Sequence, residues 1–182
     1  MIKERDTIKC ESNFSDDRAH RYLCSRIWNK ELPCIAVIMI HASSSDNIVT
    51  DATTARVLLN VAQMEAYGGV QILNLYSILT NKLDFRYHSD EELNHPENDK
   101  QIVKSANECE KIVLAWGKAP QTNQRVAERV AQVMELLKPF SDKLYVIVNG
   151  ERRLIHPLHP SIANHWELDP LRDEDVLAND PT

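Results

Sequence analysis

Two histidines, one asparagine and a Trp-Gly pair stand at the ends of strand-like runs, where side chains can meet a ligand. His41 follows the apolar run Cys34–Ile40, and Asn74 ends Gly69-Val-Gln-Ile-Leu-Asn74. Trp116-Gly117 ends Ile112-Val-Leu-Ala-Trp-Gly117, and His156-Pro157 ends Arg153-Leu-Ile-His-Pro157. Histidine titrates near neutrality and can act as acid or base. A carboxamide is donor and acceptor together. In an open α/β sheet, ligands bind outside the carboxyl ends of the parallel strands. These runs therefore predict one mouth that gathers Asn74, Gly117-Lys118 and His156. Each residue also has a structural reading. Asn74 can satisfy loop backbone, Trp116 can be core, and the doubled His-Pro can be a stiff turn.

No metal or other cofactor is expected. His156 and His159 are the closest histidine spacing, and prolines break the chain around them. Cys10, Cys24, Cys34 and Cys109 are scattered, with no Cys-x-x-Cys pair, and read as reduced thiols. The chain of 182 residues is 43% hydrophobic and 26% charged, the balance of one globular domain. No run reaches a membrane span, the charged start lacks a signal peptide's apolar core, and a cytoplasmic protein is expected. Net charge is −6, of which residues 167–182 carry −5. That balance predicts weak DNA binding or none, since phosphate neutralisation supplies most of a DNA binder's affinity. A local basic face is expected from Lys82, Lys118, Arg152 and Arg153.

The elements that must position these residues follow from pattern. Residues 1–18 read as a loose arm and 167–182 as an acidic tail, leaving 19–166 as one α/β domain. Arg21–Trp28 alternates and predicts an edge strand. Cys34–Ile40 predicts a strand buried on both faces. A helix capped by Thr50 or Asp51 carries Val57, Leu58, Val61 and Ala62, and Gly68-Gly69 ends it. After the strand Val70–Leu73 comes a long polar connection containing His88 to Pro96, then a helix near Asn98–Cys109 and the strand Ile112–Trp116. Pro120 opens a helix that runs to Pro139. Leu144–Val148 is a strand, Asn149-Gly150 a hairpin turn, and Leu154-Ile155 a short return strand. The alternation predicts a three-layer α/β/α sandwich with a central, mostly parallel sheet.

Three segments resemble the uracil-DNA glycosylase superfamily. Gly69–Asn74 is similar to its strand ending in a base-reading asparagine, and Ile112–Gln121 to its Trp-Gly strand and turn. Leu154-Ile-His-Pro-Leu-His-Pro-Ser-Ile162 is similar to the loop carrying its catalytic histidine and apolar wedge. The resemblance implies a ligand pocket at Ser43, Ser44, Asn74, Trp116 and Gly117. It also implies a wedge or partner loop of His156, Pro157, Leu158, His159, Pro160, Ser161 and Ile162. Either His156 or His159 fills the histidine position, and Leu158 or Ile162 the wedge. The water-positioning motif, Gly-Gln-Asp-Pro-Tyr or Gly-x-Asn-Pro-Gly in that superfamily, is replaced here by Met39-Ile-His-Ala-Ser43. No pocket-floor aromatic follows among Ser44, Ser45, Asp46, Asn47 and Ile48.

A nearer resemblance is to domain-of-unknown-function family 1643, a bacterial and mobile-element family. Arg21 to Arg26, His41-Ala-Ser-Ser44, Asp51-Ala-Thr53, Asn74-Leu75, Trp116-Gly117 and His156-Pro-Leu158 carry it, over roughly residues 20–160. His41-Ala42 departs from its Asn-Pro, and Ala52 from its helix-start proline. The resemblance implies a non-catalytic, glycosylase-like protein that acts by binding, with an acidic, DNA-mimicking glycosylase inhibitor as candidate partner. The alternative is an active DNA glycosylase or nucleotide-processing enzyme of altered base specificity, with His41, His156 or His159 as catalytic candidates.

Overall fold

The computed structural model describes residues 3, 4, 6–43 and 50–177. Among them lie seven strands in one sheet and six α-helices, a mixed α/β fold. The strands are β1 (Lys9–Phe14), β2 (Arg21–Ile27), β3 (Cys34–Ala42), β4 (Gly69–Leu79), β5 (Lys111–Leu114), β6 (Leu144–Val148) and β7 (Glu167–Pro170). Their order across the sheet is β1-β2-β4-β3-β5-β6-β7. The inner four, β4, β3, β5 and β6, run parallel. The outer three pair antiparallel: β2 on β4, β1 on β2 and β7 on β6.

Strand β3 shows why the centre is buried on both sides. Its alternate side chains divide between two cores. Ala36 and Ile38 face a cluster with Ile102 and Ala106 of α3 (Pro96–Glu108) and with Val126, Val130 and Val133 of α5 (Gln124–Leu137). Ile35, Val37 and Met39 face a second cluster with Val57 and Val61 of α1 (Ala52–Gln63). Asp51 caps α1: its Oδ1 accepts the Thr53 and Thr54 N–H groups at 2.8 and 2.9 Å. Such a cap contributes about 1 kcal/mol.

Several expectations are corrected. Lys9–Phe14, expected in a loose arm, is β1. Arg21–Ile27 is therefore an inner strand rather than an edge. Glu167–Pro170, expected in a tail, is β7, and α6 (Asp173–Leu177) follows it. Strand β4 continues five residues past Asn74, to Leu79. The polar connection holds α2 (Asp90–Leu93), fixed by a reciprocal cap between Ser89 and Glu92. The helix expected from Pro120 is two: α4 (Ala119–Thr122), then α5, capped by Asn123. The hairpin turns on Gly150-Glu151, between Asn149 and Arg152, which bond each other at 2.9 and 3.1 Å. No return strand follows, because Leu154 takes a left-handed φ of 52°.

Gly68-Gly69 does not end α1; Glu65 supplies the left-handed residue there, and Gly68 begins the approach to β4. A Cβ on Gly68 would lie 1.8 Å from the Asn29 carbonyl oxygen. Across the sheet, His20 Nδ1 lies 2.9 Å from Ser77 Oγ, and its ring lies 5.6 Å from that of His95, the cap of α3.

Candidate functional site

The site is built at the carboxyl ends of β3 and β5, under the loop from Leu154 to Ile162. His41 is the penultimate residue of β3 and half-buried. Burial lowers its pKa, and the Asp51 carboxylate opposes that shift. His156 is half-buried on the facing loop, and its pKa is lowered first by burial and then by His41. His156 is thus within electrostatic reach of His41, and burial disfavours the charged form of both rings. The Leu158 N–H donates to His156 Nδ1 at 3.2 Å, which leaves the ring proton on Nε2.

Gly117 sets how closely β5 approaches that loop. Its φ is 63°, and a Cβ added there would stand 3.0 Å from His156 Cβ. The loop is held from three sides. Asn149 Nδ2 donates to the Ser161 carbonyl at 2.9 Å, Arg56 of α1 donates to the Ala163 carbonyl, and Ile155 N–H reaches Ile147 O at 3.1 Å.

The two loop histidines are bonded differently. His159 works as a local cap: its Nδ1 accepts the Ser161 N–H at 3.2 Å and lies 2.8 Å from Ser161 Oγ. His156 is the one whose pKa feels His41. Of the two wedge candidates, Ile162 is 2% exposed and packed in the α1-side core, while Leu158 is 45% exposed. Pro157 is buried, and Pro160 and Ser161 are exposed.

Other expected residues stand elsewhere. Asn74 lies in mid-strand opposite Met39 and is 2% exposed. In the amide orientation that satisfies both its ends, its nitrogen donates to the His41 carbonyl at 2.9 Å. It supports the end of β3 from behind. Trp116 is 1% exposed within the α3–α5 core, and its indole N–H has no hydrogen-bond partner among the described residues. Ser43 donates to Asp51 Oδ2 at 2.7 Å. Ser44 lies outside the described residues.

Two contributors were missed by sequence reasoning. Asp51 joins the α1 cap to Ser43 and to the field at His41. Arg21, 2% exposed, is lowered in pKa by burial, while Cys24 and Asp51 act the other way. An arginine at the head of an apolar strand was the available signal. Beside His156 opens a cleft of about 660 Å³ lined by Gly117, Lys118, Glu151, Arg152 and His159, among others. Arg153 borders it too, but its guanidinium is engaged by Asp169 and Asp175. No group of three or more metal-ligating side chains occurs among the described residues.

The arrangement thus offers a pair of neutral imidazoles, one with its proton on Nε2, and a carboxylate that is already engaged. A family model described as "protein of unknown function (DUF1643)" matches residues 21–161, from the first residue of β2 to the Pro160–Ile162 turn. The chain belongs to the DUF1643 family. No curated protein and no solved structure matches it. The DUF1643 match contains Arg21, His41, Ser43, Asp51, Asn74, Gly117 and His156. It leaves β1 and β7 outside. No described helix of this DUF1643 protein is long and apolar enough to cross a membrane.

Proposed function

We propose that this protein is a non-catalytic relative of the uracil-DNA glycosylases, with a three-layer α/β/α fold, that acts by binding a protein partner. The position of Asn74 carries this reading. The amide that would pair with a pyrimidine is buried at 2% exposure and donates to the His41 carbonyl. Presenting it to a base would strip that carbonyl of its donor, at a cost on the order of 1–3 kcal/mol. The water-positioning carboxylate is likewise replaced by His41, held neutral by burial. Water attack at a glycosidic carbon builds positive charge on the sugar, which a neutral imidazole stabilises poorly.

The partner surface is the loop from Ile155 to Ile162, whose exposed apolar residue is Leu158. Lys118 and Arg152 lie beside it at the cleft. An apolar anchor next to cations suits an acidic, DNA-mimicking inhibitor protein of the kind that grips glycosylases. Affinity for DNA itself stays weak or absent, given the net charge of −6.

The test is a uracil-excision assay beside a binding titration with a glycosylase inhibitor protein, each with an authentic glycosylase as control. No abasic sites and a micromolar or tighter complex are expected, and Leu158→Asp should weaken the complex by several kcal/mol, the scale of a lost hot spot. Excision near the control's rate, or no complex, overturns the reading. The convergence of His41 and His156 favours a second reading, an enzyme acting on DNA or nucleotides with altered base specificity. Excision abolished by His41→Ala and His156→Ala would be its signature.

A further inference from the structure

We propose that the cleft beside His156 binds a small phosphate monoester through Lys118 and Arg152, a site that does not depend on the partner-binding reading. The first ground is its shape. At about 660 Å³ it lies within the range of small-molecule clefts, and turns after two neighbouring parallel strands, β5 and β6, form its walls.

The second ground is the state of its cations. Three basic side chains line the cleft, and they differ sharply. Arg153 is turned away into an ionic cluster with Asp169, Asp175 and the Pro170 carbonyl. Lys118 and Arg152 are exposed, and neither has an ion pair or a side-chain hydrogen bond among the described residues. They come from different turns yet face one space. Glu151 is the one acid lining the cleft, so Lys118, Arg152 and Glu151 together leave a net charge of +1. A phosphate monoester carries about −1.5 to −2 at neutral pH and offers acceptor oxygens to both cations. Glu151 can accept hydroxyl hydrogens of a sugar carried by the ester, as a carboxylate does for a ribose diol.

The third ground is backbone. Gly117 is left-handed at φ 63°, and Lys118 follows at φ −88°, ψ 9°. A left-handed residue followed by one with negative φ is the kind of succession from which anion-holding concavities of backbone N–H groups are built. Leu154, on the same wall, holds a left-handed φ of 52° without being glycine. Strain of that kind collects where ligands are clamped.

The experiment is isothermal titration of the full chain with ribose 5-phosphate and adenosine 5′-monophosphate, with inorganic phosphate and adenosine in separate arms. Both esters should bind, adenosine should not, and inorganic phosphate should bind at least tenfold more weakly than the esters. The double variant Lys118→Ala/Arg152→Ala should lose at least tenfold in ester affinity. Both side chains are exposed, so an unchanged thermal unfolding curve is expected and certifies the fold. Absence of ester binding at millimolar concentration overturns the proposal. So does binding that survives the double variant, or inorganic phosphate binding as tightly as the esters.

Discussion

His156 stands within electrostatic reach of His41 on a loop that residues without chemistry of their own hold in place. Gly117 is the sharpest case. Alanine there would take a left-handed conformation costing about 1–2 kcal/mol and set a methyl 3.0 Å from His156 Cβ. Gly117→Ala should therefore destabilise the protein by about 1–3 kcal/mol. It should also move the His156 ring resonances by NMR while the signals of His20, across the sheet, stay in place. An unchanged His156 would show that the loop is not braced on this turn. At this scale the sequence was half legible. A Trp-Gly pair ending a strand announces a tight turn, and His156 lines one cleft with Gly117 and Lys118 although the strand expected before it does not form. Asn74 was misread because Leu75-Tyr-Ser-Ile-Leu79 extends the strand with residues as β-prone as those before it. An asparagine that looked terminal is internal, and its amide supports backbone.

The elements were legible where burial imposes a pattern and obscure where it does not. β3 and α5 declare themselves by unbroken and 3.6-periodic apolar residues. β1 and β7 are short, polar sheet edges, and an edge strand needs no apolar signature. What attaches β7 is Arg153. Its guanidinium meets Asp169 of β7, Asp175 of α6 and the Pro170 carbonyl, and Asp175 is only 3% exposed. Removing the partner of a buried carboxylate costs about 3–5 kcal/mol. Arg153→Ala should lower stability by about that much in urea unfolding, and hydrogen exchange should rise first in residues 167–177. Exchange rising equally over β3 and β4 would mean that β7 and α6 are not attached separately. Arg153→Lys should recover only part, since a single ammonium cannot hold two carboxylates and a carbonyl in a planar fork.

For the whole molecule, the acidic C-terminal segment changes meaning once folded. Asp169 and Asp175 neutralise Arg153, so the basic face expected from Lys82, Lys118, Arg152 and Arg153 loses one of its members. Titration shows a second collective property. His20, His41 and His156 all have pKa values lowered by burial, with His95 adding to the shift at His20 and His41 to that at His156. The folded chain therefore binds fewer protons than the unfolded one just below the ordinary histidine value of about 6.5. Stability is full above that pH and falls as pH drops through the lowered values. The hydrogen-bonded carboxylates Asp17 and Asp169, lowered in their turn, add a further loss near pH 4 and below. Urea midpoints should drop between pH 7.5 and pH 5.5, and His20→Gln should flatten that drop. A pH-independent midpoint over this range would contradict the burial of these rings.

Both margins of the sheet are supplied by segments outside the family match, and β7 in particular shields β6. That strand reads Leu-Tyr-Val-Ile-Val, without a charge or a proline, and it lies between β5 and β7. Its partner is thus also its guard against self-association. A chain ending at residue 166 would keep the histidine site but present Leu144–Val148 as a bare ladder of backbone donors and acceptors, the template from which fibrils grow. Such a truncation should show itself as concentration-dependent light scattering and thioflavin fluorescence before any loss of helical signal, and a monodisperse monomer at high concentration would argue that β6 needs no cover.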